Sequence, residues 1–204
     1  MHNLNELRTP HLDLLKESGN IGAAHAASSL SVLLNKPIDM RIPSVHVMPI
    51  ADLIDNDAEK HVAASYIQVD GGFRGFFFMM FAVDQANMLI EELVPGSNVL
   101  DDAMGKSAFC EISNILCGSY LSALASFLNI PLTQSPPVYA VDMAGAILSE
   151  GLVELSLYDE SALLIDAVLF DRQRGSRLNG EFLFLPFPDS LDAIFDIAEG
   201  KYSK

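Results

Sequence analysis

Along the chain, long stretches of helical periodicity alternate with short, dense β-type runs. In residues 12–34, apolar and small side chains recur at helical spacing (Leu12, Leu15, Gly19, Gly22, Ala26, Leu30, Leu33), which predicts a long helix stopped by Asn35-Lys36-Pro37. Residues 38–50 read as extended, with Pro43 and Pro49 limiting regular pairing. Residues 62–69 and 73–83 are strand-like on either side of Asp70-Gly71-Gly72, a hairpin pattern. Residues 84–93 predict a helix closed before Pro95-Gly96. Residues 103–128 predict a second long helix stopped by Asn129-Ile130-Pro131. After Pro136-Pro137, β-type runs are expected around 138–148, 150–157, 162–170 and 181–187, and a last helix from about Asp189 to Ala198.

The two long helices are copies of one another. A shift of 94 residues superposes Glu17 on Glu111, Asn20 on Asn114, Ile21 on Ile115, Leu34 on Leu128, Asn35 on Asn129, Pro37 on Pro131, Pro43 on Pro137 and Val47 on Val141, all without a gap. Each half then reads helix, proline stop, extended strand, hairpin. Such a pattern implies duplication. The expected organisation is a single domain over residues 1–204 made of two repeats, about 11–95 and 101–190. Matching apolar faces would join their strands in a common sheet with helices packed on it.

Two of the repeated identities are residues that a core does not need. On a helical wheel Asp13, Glu17 and Asn20 lie within about 60° of one another, opposite the apolar face. Ser107, Glu111 and Asn114 form the same stripe on the second helix, opposite Phe109, Leu116, Tyr120, Ala123, Leu124 and Phe127. Exposed positions drift most easily after duplication, so a carboxylate and a carboxamide retained three apart in both copies make candidate functional groups. Pro43 and Pro137 read as strand entry points, and Phe76-Phe77-Phe78 as a buried strand.

Composition narrows the partners. Half of the 204 residues are apolar, which excludes a wholly disordered chain. Acidic residues number 27 against 12 basic, a formal charge of −15, and there is no basic run to meet a nucleic-acid backbone or an anionic membrane. The longest unbroken apolar stretch, Phe76 to Val83, is short for a membrane span, and the first residues lack the pattern of a signal peptide. Cys110 and Cys117 lie seven apart in one predicted helix, about 10 Å along its axis, which is too far for a disulfide. The five histidines show no metal-ligand spacing. A cytoplasmic location is the expectation. No phosphate-binding glycine loop and no G-x-S-x-G nucleophile setting is present.

The stripe residues carry a family resemblance. The spacing Asp/Ser, three residues, Glu, two residues, Asn, twenty-two residues, Pro occurs as Asp13, Glu17, Asn20, Pro43 and again as Ser107, Glu111, Asn114, Pro137. This motif, with Gly19-Asn20-Ile21-Gly22-Ala23 and Asn114-Ile115-Leu116-Cys117-Gly118 around it, resembles the CheC/CheX/FliY group of chemotaxis phosphatases, and two intact copies look like its CheC branch. The resemblance covers nearly the whole chain and weakens after about Leu157. It departs from the group at Ser18, where an apolar residue is usual, and at His25, where Asn is common.

The resemblance implies an α+β fold, a pseudo-two-fold duplicated domain with a central, largely antiparallel six-stranded sheet and the two long motif helices on one side. It also implies a phosphatase acting on the aspartyl-phosphate of a response-regulator receiver (phospho-CheY). Asn20 or Asn114 would then position the attacking water, and Glu17 or Glu111 would pair with the receiver's lysine. Asp13 and Ser107 would make supporting contacts. No cofactor is expected on this chain; Mg²⁺ is expected in the partner receiver's own site, and CheD is a second candidate partner. The alternative reading is a non-catalytic adaptor binding a receiver or CheD; the paired carboxamides favour turnover, since binding alone does not need them.

Overall fold

The computed structural model describes residues 4, 7–56, 58–173 and 175–191. Its elements, in chain order, are α1 (Thr9–Leu34), β1 (Ile38–Pro49), α2 (Ile50–Asp55), β2 (His61–Gly71), β3 (Gly75–Ala82), α3 (Val83–Leu93), α4 (Ala103–Leu128), β4 (Leu132–Gln134), β5 (Val138–Met143), α5 (Ala144–Ser156), β6 (Ser161–Asp171) and β7 (Ser176–Pro186), followed by a 3-10 turn at Pro188–Leu191. The two long helices end alike. Asn35 (φ 49°) and Asn129 (φ 54°) are left-handed C-terminal caps, a conformation Asn tolerates better than other side-chain-bearing residues, and Pro37 and Pro131 follow.

All strands join one antiparallel sheet in the order β1-β6-β7-β3-β2, with β4 and β5 both on the far edge of β2. Among the described residues seven strands fill six positions, because β4 pairs with Val69–Gly71 and β5 with His61–Tyr66 of the same neighbour. Pro136 and Pro137 fall in the gap between them; prolines have no N–H for a ladder, so the edge strand breaks there. Each half contributes a hairpin to the centre (β2–β3 and β6–β7), while its first strand crosses to the other half: β1 pairs with β6, and β5 with β2.

Successive side chains of β3 feed opposite faces. Phe77, Met79 and Phe81 join the core under α1, α3 and α4, together with Leu15, Leu30, Phe109 and Leu116. Phe76, Phe78 and Met80 join a second core under α2 and α5, with Leu53, Ile147 and Leu152. The continuous aromatic run is therefore a strand buried on both faces, and both motif helices lie on one side of the sheet, as expected. Helix α4 is long and apolar enough in composition to resemble a membrane span, yet 56% of that window is buried inside the fold.

Several expectations need correction. Residues 144–156, expected as β-type, form α5. Their apolar residues Ile147, Leu148, Gly151, Leu152 and Leu155 follow helical spacing and face the sheet, and Gly151 admits the Phe78 ring to where a Cβ would stand 2.4 Å from Cζ. Phe127, placed on the buried face of α4, is 41% exposed; in the last turns the buried side is carried by Leu121, Leu124 and Leu128 instead. The last helix expected from Asp189 to Ala198 falls mostly outside the described residues. Only the 3-10 turn at Pro188–Leu191 is seen there.

Candidate functional site

Helices α1 and α4 pack side by side. Gly22 makes this possible: the Tyr120 ring lies where a Cβ would come within 2.5 Å of Cδ2. Further along, the Ser119 hydroxyl donates to Ser29 Oγ at 2.8 Å. Ser18, the departure from the family pattern, is buried and satisfied within its own helix, its hydroxyl donating to Leu15 O at 3.0 Å. His25 is exposed.

With their apolar faces spent on each other and on the sheet, the helices turn the two polar stripes outward. In the first copy Asp13 and Glu17 are exposed and Asn20 is half-buried. Asn20 is tied down: its Oδ1 accepts the Ile42 N–H at 2.9 Å. That N–H is available because β1 bulges. Pairing with β6 jumps from Arg41↔Val168 to Ser44↔Asp166, which leaves an extra residue on β1 at Ile42-Pro43. Pro43 cannot extend the ladder, and the N–H before it turns to the helix. The close approach also needs Gly19, where a Cβ would stand 2.6 Å from Ile42 Cδ1. The wide spacing from Asn20 to Pro43 thus has a local cause: the proline belongs to the bulge that anchors the asparagine.

The second copy places Ser107 and Glu111 exposed on α4, with Asn114 and Pro137 half-buried. Its anchor differs. The residue equivalent to Ile42 is Pro136, which has no N–H to give. Asn114 Oδ1 accepts instead from the side chain of Gln134, Nε2 at 2.6 Å, and the same nitrogen lies 3.4 Å from Asn114 O. Ser135 bridges the broken strand: its N–H donates to Gln68 O at 2.9 Å and its Oγ accepts the Gln68 N–H at 3.0 Å. Ser107, Glu111, Asn114 and Pro137 line an open cleft of about 540 Å³ together with Cys110 and Gln134. Burial pushes the Cys110 thiol up, so it stays protonated at neutral pH and is a poor nucleophile.

The structure therefore brings Asp13, Glu17, Asn20 and Pro43 into one surface patch and Ser107, Glu111, Asn114 and Pro137 into another. Among the described residues no group of three His, Cys, Asp or Glu is placed to hold a metal ion. Two anchors of these stripes were not foreseen from the sequence, the Ile42 N–H and Gln134. The Pro136-Pro137 pair was the available signal, since it deletes the donor that the first copy uses.

Comparison with known proteins identifies the family. Residues 11–47 match the CheC-like family and residues 63–156 the chemotaxis phosphatase CheX family. The chain is 37% identical over 198 residues to the CheY-P phosphatase CheC of Bacillus subtilis, covering 94% of this chain and 95% of that protein. It is 28% identical over 138 residues to the flagellar motor switch phosphatase FliY of the same organism, covering 66% of this chain and 36% of that longer protein. The crystal structure of Thermotoga maritima FliY superposes with a TM-score of 0.72 at 16% identity, over 96% of this chain and 99% of that one. Near-full-length identity to a CheC, matches to both family patterns and the shared sheet-and-helix fold place the chain in the CheC-like family of chemotaxis phosphatases.

Proposed function

We propose that this chain hydrolyses the aspartyl-phosphate of a CheY-like receiver domain, using Asn20 and Asn114 to place the attacking water and Glu17 and Glu111 to pair with the receiver's lysine. The observation that carries this reading is the tethering of both carboxamides. Each Asn sits beside an exposed Glu on a solvent-facing helical stripe, with its Oδ1 already held by a donor from the neighbouring strand. A carboxamide so held keeps a second lone pair on the oxygen and two N–H donors. That is the equipment needed to accept one proton of a water and to hold it in line with phosphorus.

The work is positioning, comparable with the water-orienting glutamine of GTPases. A neutral amide suits it, because a carboxylate would repel the phosphoryl oxygens. The water oxygen forms its bond to phosphorus as the bond to the receiver's aspartate oxygen breaks, giving inorganic phosphate and a free carboxylate. The Mg²⁺ and the lysine belong to the receiver in this reading. Glu17 or Glu111, one helical turn from its Asn, meets the lysine in a charge-assisted contact that sets the docking register. The relatives named as CheY-P and motor-switch phosphatases support the reaction class, and in this reading the chain works in the cytoplasm, where it would meet a receiver substrate.

The test is phosphate release from a phosphorylated receiver with the unmodified chain, E17A/N20A, E111A/N114A and the four-fold variant. The expected result is that each two-fold variant retains part of the acceleration and the four-fold variant returns the receiver to its own hydrolysis rate. A four-fold variant as fast as the unmodified chain refutes the mechanism. An unmodified chain that binds the receiver or CheD without accelerating hydrolysis makes it an adaptor.

A further inference from the structure

We propose that Gln134 is the positioning residue of the second copy, holding Asn114 in the way that the Ile42 N–H holds Asn20; the inference rests on the phosphatase reading of that site. Three observations converge on it. Pro136 stands at the place of Ile42 and has no N–H, so the backbone anchor of the first copy cannot exist in the second. Gln134 supplies the missing donor, with Nε2 2.6 Å from Asn114 Oδ1. The amide also rests against α4 itself: a Cβ at Gly118, one turn beyond Asn114, would stand 3.4 Å from Gln134 Oε1, ordinary van der Waals contact.

The substitution changes the character of the site. A backbone N–H is held by its sheet, whereas Gln134 reaches Asn114 through a flexible side chain from the three-residue strand β4. Its Oε1 is buried and has no hydrogen-bond donor against it, a costly state for an acceptor. Gln134 lines the cleft together with Glu111 and Asn114, so the amide that holds Asn114 belongs to the same site. The second site is thereby anchored by a movable side chain, and the first by a backbone group fixed in its sheet.

The experiment uses the full chain with the first copy silenced by E17A/N20A, so that turnover comes from the second copy alone. In that background Q134L, nearly the same size but unable to donate, is expected to lower kcat about 10- to 100-fold, the scale of a misplaced reacting group. KM for the phosphorylated receiver should stay within about two-fold, since Gln134 is set to orient Asn114 and not to dock the partner. Adding P136A returns a backbone N–H at the Ile42 position and should restore most of the lost kcat. In the same proteins the side-chain amide signal of Asn114, followed by ¹⁵N NMR without any receiver, should shift and broaden in Q134L and recover in Q134L/P136A. Unchanged kcat and unchanged amide signals in Q134L overturn the proposal, as does a loss that appears only in KM or that P136A leaves untouched. A chain inactive before any substitution, with the amide signals behaving as expected, sinks the phosphatase reading while the anchoring role stands.

Discussion

Tyr120→Phe should stabilise this fold, although it removes a polar atom where the two motif helices meet. The Tyr120 side chain is 2% exposed, packed on Gly22 and flanked by Phe77 and Phe184, with ring centroids 6.3 and 5.9 Å away. Its hydroxyl is buried without a hydrogen-bond partner. A buried hydroxyl left unsatisfied costs about 1–3 kcal/mol. Deleting the oxygen forfeits a handful of dispersion contacts, about 0.5 kcal/mol together. The balance is a gain of about 1 kcal/mol, or roughly 2–4 °C in Tm for a chain of this size. Burial also pushes the Tyr120 phenol far above its ordinary value. The folded chain keeps the proton while the unfolded chain loses it above about pH 10. The unfolded state then binds fewer protons, so the parent protein loses about 1.4 kcal/mol of stability per pH unit above that point from this group. Y120F escapes the loss. Thermal melts followed by circular dichroism at pH 7 and at steps from pH 9 to 11 should show a gap between the two proteins that widens in the alkaline range. A lower Tm for Y120F at pH 7, or a gap that does not grow with pH, would refute the argument that the hydroxyl is buried and unpaired.

Two further substitutions probe what holds the motif helices in place. Lys36, just past the end of α1, pairs with Glu92 on α3 and, at 3.0 Å, with Asp171, whose side chain is fully buried. K36M should cost about 1.5–3 kcal/mol by removing the ammonium beside Asp171 Oδ2, while Oδ1 keeps the Gln173 N–H at 2.9 Å, and K36M/D171N should regain much of it; a K36M melt indistinguishable from the parent would show that the ammonium adds nothing to the buried carboxylate. Asp102 caps α4, accepting the Gly105 N–H at 2.9 Å and the Met104 N–H at 3.3 Å, and the Ser97 hydroxyl with these amides holds its carboxyl below the usual carboxylate range. A group with a lowered folded value stabilises above its unfolded pKa and stops doing so as pH falls through the folded one. The Tm deficit of D102A should therefore be full at pH 7 and shrink below about pH 4; a deficit constant from pH 7 to pH 2 would contradict the capping role.

The architecture was legible wherever local periodicity carried it. The 3.6-residue repeat of α1 and α4 and the two-face burial of β3 can be read directly from the order of side chains. α5 was misread because a short apolar stretch of mixed spacing fits either element, and its helical state is settled by packing on the sheet. Phe127 was misplaced for a related reason. A wheel drawn for the whole helix averages its faces, whereas the buried side of α4 moves round to Leu121, Leu124 and Leu128 in its last turns.

For the site the division is sharper. Spacing along one helix is a matter of bonds and backbone angles, so the order of residues alone put Glu17 beside Asn20 and Glu111 beside Asn114, and the 94-residue shift alone showed that the stripe occurs twice. What anchors each asparagine depends on which strand lies against it, and β1 and β5 cross to pair with the opposite half. Pro43 and Pro136 could be seen to lack an N–H. Only the tertiary structure decided that the bulge at the first frees the Ile42 N–H for Asn20, and that Gln134 replaces the donor lost at the second. Hydrogen-bond partners are assigned by neighbours in space, and here they come from residues 20 or more positions away along the chain.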